Sequence, residues 1–147
     1  MIRSQNRMRL CTALIVLNLV FIWGNSLLPA SISASISQWA KELLSQFFPP
    51  APSGGEAGHW LLRKLAHFCE FCLLGMGLAW MAGMLRKHPR FPLLWAAGVA
   101  CIDETIQRFV PGRGPSIRDV AIDTAGAALG IALLLCGHTL LKNQKQR

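Results

Sequence analysis

The sequence predicts an all-α integral membrane protein, a four-helix bundle with a short interfacial helix between its first and second helices. Two observations carry this. Hydrophobic residues make up 52% of the 147 residues and charged residues only 15%, against roughly 25% charged in soluble proteins. The apolar residues also gather into runs of about twenty, the length that crosses a bilayer. The length suits one domain, taken as 1–147. A net charge of +8 would suit nucleic acid. The basic residues, however, flank the apolar runs as membrane-orienting charges do, which argues against a nucleic-acid partner.

The first helix is expected at about 10–28, after a basic start with Arg3, Arg7 and Arg9. A cleaved signal peptide is the rival reading, because small residues follow the apolar run. Pro29 stops the helix. Beyond it, Ile36, Trp39, Leu43 and Phe47 share one face, which reads as a helix lying in the interface or as an ordered loop. A Pro/Gly-rich break covers 49–55. The second helix is expected at 60–85, ending in the basic turn 86–90. The third is expected at 91–110 and the fourth at 116–141, joined by Pro111-Gly112-Arg113-Gly114-Pro115. Trp23, Trp39 and Trp60 fall near expected interfaces, as anchors do.

Nine of the fifteen Lys and Arg residues lie in the N-terminus, the 86–90 turn and the C-terminal tail. By the positive-inside rule these ends are cytoplasmic, with both termini inside. That orientation brings polar groups from three helices to one depth on the outer side. Lys64, His67 and Glu70 lie in the second helix. Asp103, Glu104 and Gln107 close the third. Arg113, Ser116, Asp119 and Asp123 open the fourth. Four of the seven acids fall between 103 and 123. A carboxylate facing lipid costs several kcal/mol, roughly, so each should point into the bundle and find a partner.

Spacing supports a shared site. At about 100° per residue, Asp119, Asp123, Gly126 and Gly130 fall in a stripe roughly 60° wide. Gly126-x-x-x-Gly130 is a small-residue face that lets another helix approach. Asp103 and Gln107 share a face. Salt bridges from Asp103 and Glu104 to Arg113 or Arg118 are one fate for these acids. General acid–base work by His67, Glu70, Asp103 or Glu104 is another. Arg113 suits either a salt bridge to Glu104 or Asp119 or an anionic headgroup. Ser116 after Gly-Pro reads as a helix N-cap rather than a nucleophile. The acids and His67 include ligand types for a divalent cation, but no compact spacing such as H-E-x-x-H is present. Neither a metal nor another cofactor is therefore expected. The five cysteines lie in apolar runs and read as small apolar residues, Cys69-x-x-Cys72 included.

Three patterns in order then resemble the VanZ-like membrane proteins, a family named for a teicoplanin-resistance protein. They are K-L-A-H-F-x-E-F over Lys64, His67 and Glu70, then D-E-x-I-Q-x-F-V-P-G-R over Asp103, Glu104, Gln107 and Arg113, then S-I-x-D-V-x-x-D-x-x-G-x-x-x-G from Ser116 to Gly130. Asn25-Ser26 resembles the family's small polar signature at the end of helix one. Asp123 stands where the family often carries Asn. The resemblance implies a multi-pass protein of the bacterial cytoplasmic membrane, linked in name to glycopeptide susceptibility.

Three functions follow as expectations. An outer-facing polar pocket binds a lipid-linked or peptidoglycan-related anion and alters the response to teicoplanin. Alternatively, the pocket is an intramembrane hydrolase or transferase acting on a lipid headgroup. In the third reading the protein is a structural or assembly partner, and the polar cluster only locks the helices together.

Overall fold

The structure is a computed structural model that describes residues 2–46, 56–88 and 90–144. The break at 49–55, Phe47, Lys145 and Arg147 lie outside the described residues, as does the side chain of Trp60. Five helices follow one another: α1 (Ile2–Leu27), α2 (Ala30–Ser45), α3 (Glu56–Met84), α4 (Arg90–Gln107) and α5 (Ile117–Gln144), with no strand among the described residues. The bundle consists of α1, α3, α4 and α5, with α2 between its first two members in sequence.

Helix α1 begins well before its apolar run. Nothing in residues 2–9 breaks a helix, and Arg and Met favour one, so hydropathy marks where the membrane starts and not where the helix does. Pro29 ends α1, and its carbonyl accepts the Ser33 N–H as α2 starts almost at once. Along α2, Ile32, Ile36, Trp39 and Leu43 are exposed while Ser33 and Ser37 are buried. The apolar stripe thus faces away from the protein, as in a helix lying in a membrane interface. Ser37 satisfies its hydroxyl locally by donating to the Ser33 carbonyl.

Among the described residues, three helices are long and apolar enough to cross a membrane: Ser4–Leu27, Leu61–Met84 and Ile117–Gln144. Helix α4 is 18 residues, about 27 Å long, and carries Arg90, Asp103 and Glu104. Its outward face is still apolar, with Phe91, Leu94, Trp95 and Ile102 exposed. It ends at Gln107, three residues earlier than expected, because Pro111 pulls its predecessor Val110 away from helical backbone angles. Pro92 is tolerated in the first turn, where the missing N–H has no helical acceptor.

The core is small. Ile22, Phe71, Leu74, Ala96, Val99, Ala100 and Ala127 form its buried cluster. Helices α3 and α5 make the most extensive helix pair. The reason is visible in the glycines. A methyl group on Gly126 would strike the Phe68 carbonyl, one on Gly130 the Cys72 carbonyl, and one on Gly75 the Ala127 carbonyl. Only bare backbone permits this approach, the small-residue packing expected from the 126–130 spacing. It also presses the polar start of α5 against the polar turns of α3. Elsewhere, leucines along α1 such as Leu10, Leu14 and Leu17 are exposed, a surface suited to lipid and costly in water.

Candidate functional site

Among the described residues nine polar or charged side chains are buried, and seven of them gather where α1 stops and α5 starts: Ser26, His67, Glu70, Asp103, Glu104, Gln107 and Asp123. Burial of such groups is affordable only where each finds a partner or a ligand.

Most partners are interhelical. Asn25 Nδ2 donates to Glu70 Oε1 at 2.8 Å, tying α1 to α3. Gln107 Nε2 donates to Asp103 Oδ2 at 2.8 Å, one turn back, and to Ser26 Oγ at 3.2 Å on α1. The Ser116 N–H donates to Glu104 Oε2 at 2.7 Å, so an α4 carboxylate anchors the start of α5. Ser116 itself occupies the N-cap place, its carbonyl accepting from the N–H groups of Asp119 and Val120. Lys64 and Asp119 form an ion pair between α3 and α5. His67 Nδ1 lies 3.7 Å from Glu70 Oε2.

Arg113 sits in the turn between α4 and α5. Its Nη2 donates to the Asn25 carbonyl at 3.0 Å, capping the C-terminal end of α1. That is a favourable place for a cation. Gly112, beside it, has a φ of 75°, and a Cβ there would meet Ala30 Cβ. Glycine is what lets this turn close over the start of α2. Among the described residues Arg113 makes no ion pair with an acid. Its Nε and Nη1 are buried without a hydrogen-bond partner. Burial first, and then the charge of Arg63, push its pKa down from the ordinary arginine value. An anion beside the guanidinium would relieve both.

The acids expected to pair with Arg113 or Arg118 take other partners here: Gln107 for Asp103, the α5 backbone for Glu104, and Lys64 for Asp119. Four buried side-chain atoms in the cluster keep no hydrogen-bond partner: His67 Nδ1, Glu70 Oε2, Asp103 Oδ1 and Glu104 Oε1. One ligating atom from each of His67, Asp103 and Asp123 lies within 4.8 Å of the others. The structure therefore brings Lys64, His67, Glu70, Asp103, Glu104, Gln107, Arg113, Ser116, Asp119 and Asp123 to one end of the bundle. It adds Asn25 and Ser26, whose contacts no local spacing foretold. The five cysteines are free, and Cys69, Cys101 and Cys136 are exposed on the bundle surface.

This is a helical membrane protein with a buried, partly unsatisfied polar cluster at one end. The profile of the VanZ/LLP1 family matches residues 4–141. The chain belongs to the VanZ-like family, and the match covers nearly all of it. Comparison with curated proteins and with solved structures finds no match.

Proposed function

We propose that this VanZ-like protein lies in a bacterial cytoplasmic membrane with both termini inside, and binds an anionic lipid-linked envelope component at the outward polar end. The observation that carries this reading is Arg113, with two buried guanidinium nitrogens lacking a hydrogen-bond partner and, among the described residues, no ion pair with an acid. Guanidinium suits phosphate and carboxylate groups because its donors are fixed in a plane. An apolar cavity of about 890 Å³ runs between α1, α3 and α4, with Trp23, Leu74 and Ile102 in its lining. Ile102 adjoins Asp103 in sequence, so a hydrocarbon tail in this groove would lead its headgroup toward the cluster. Holding a wall-related anion at the outer surface would change the response to glycopeptides such as teicoplanin.

Intramembrane hydrolysis or group transfer is the second reading. What favours it is His67 beside Asp103 and Asp123, groups able to move a proton. A purely structural role fits less well, because a locking network would satisfy its own buried atoms.

The test is binding of polyprenyl diphosphate by the purified protein in phosphatidylcholine nanodiscs, followed by tryptophan fluorescence. Arg113→Ala is expected to weaken binding by about tenfold or more, since a charged hydrogen bond contributes about 1.5–3 kcal/mol. Arg113→Lys should recover part of that, as a point charge without the planar donors. Binding unchanged in Arg113→Ala, or absent from the wild type, would remove the basis of the reading.

A further inference from the structure

We propose that His67, Asp103 and Asp123 together hold one divalent metal ion, of the zinc or manganese class, where α3, α4 and α5 meet. The three ligating atoms come from three helices and lie within 4.8 Å of one another. Ligands held tetrahedrally at about 2.0–2.2 Å from one ion lie roughly 3.3–3.6 Å apart. Closing on an ion therefore asks these atoms to converge by at most about 1.5 Å, shared between the side chains. Helix α5 is already drawn in, because Gly126, one turn after Asp123, meets the backbone of Phe68, the neighbour of His67.

Asp103 is fully buried and its Oδ1 has no hydrogen-bond partner. Asp123 is 3% exposed. Neither forms an ion pair among the described residues, since Asp119 is the acid joined to Lys64. A buried carboxylate without a direct ion pair or a full set of donors is costly. A divalent ion at their common point would compensate both at once.

Donor chemistry narrows the ion. Calcium and magnesium favour all-oxygen sets, whereas one imidazole with two carboxylates suits zinc or manganese. Binding through His67 Nε2 leaves Nδ1–H for Glu70, whose Oε2 lies 3.7 Å away. A carboxylate behind a ligating histidine commonly fixes the ring in this way. Gln107 holds the other ligand, donating to Asp103 Oδ2. Three protein ligands leave a coordination position open to water or an outside ligand. The ion would also lend positive charge to a cluster otherwise rich in carboxylates, which an anionic headgroup needs. The metal site does not depend on Arg113 binding that headgroup.

Metal content separates the two. Wild-type protein purified in detergent without chelator should carry about one zinc or manganese per chain by plasma mass spectrometry, and should rebind the ion after stripping. Asp103→Asn and Asp123→Asn keep shape and remove charge. Each should retain less than about a tenth of the metal while remaining monodisperse. Glu70→Gln should weaken rebinding by about tenfold. Cys69→Ser with Cys72→Ser should keep the full metal content. Stripped wild-type protein that takes up neither Zn²⁺ nor Mn²⁺ would overturn the site, even if the Asn variants fail to fold. Metal lost with the cysteines and kept by the Asn variants would overturn it as well.

Discussion

Gly130→Leu is expected to yield little folded protein, and even Gly130→Ala to lower the unfolding temperature in detergent. A Cβ at this position runs into the Cys72 carbonyl and comes within 3.1 Å of the Met76 nitrogen. Both obstacles are backbone, so no side-chain rotation relieves them and the two helices must separate. Overpacking of this kind costs about 1–3 kcal/mol for a small group and more for a large one. The loss would reach the site, because Asp123 and Asp119 ride on the same helix. Gly98→Ala and Gly137→Ala are the controls. A Cβ at either meets nothing within 4 Å, and alanine favours the helix by up to about 1 kcal/mol. Thermal unfolding of the three alanine variants, read by circular dichroism, should show Gly130→Ala alone clearly destabilised.

Asn25→Leu should be the most damaging single change among the site's uncharged residues. Its amide donates to Glu70 Oε1, and the other oxygen of that carboxylate already lacks a hydrogen bond. Removing the donor leaves Glu70 buried between α1 and α3 with both oxygens unserved. The expected cost is about 1–3 kcal/mol or more, the penalty for stranding a buried polar group. The backbone carbonyl of residue 25 still receives Arg113, so the effect belongs to the side chain. Glu70→Leu in the same chain removes the stranded group, and the double variant should recover part of the loss. A double-mutant cycle on unfolding temperature should therefore show strong coupling, whereas additive losses would mean that the contact contributes little.

Much of this was legible in the residues because membrane helices announce themselves by hydropathy and because lipid forces polar groups inward. The small-residue stripe from Asp119 to Gly130 named the face that packs, although not its partner, which is α3. Two kinds of information were out of reach. Helix ends follow backbone chemistry, so α1 begins at Ile2 in a polar segment and α4 stops before Pro111. Pairing among several acids and several cations is decided by tertiary geometry. Nothing local told Lys64 to choose Asp119, Glu104 to serve a backbone N–H, or Asn25 to reach across 45 residues to Glu70. The convergence of His67, Asp103 and Asp123 is hidden for the same reason. A ligand set spread over three helices has no compact spacing to find.

The outward placement of the polar end is tested most directly by cysteine accessibility, with the five native cysteines replaced. Single cysteines go at Gly114, in the turn beside Arg113, and at His88, in the opposite turn. Both positions are exposed, and a Cβ at Gly114 meets nothing within 4 Å. A membrane-impermeant maleimide added to intact cells should label Gly114→Cys and leave His88→Cys unlabelled until the cells are opened. The reverse pattern would put the cluster in the cytoplasm, out of reach of an outer-surface ligand, and would contradict the envelope-binding reading.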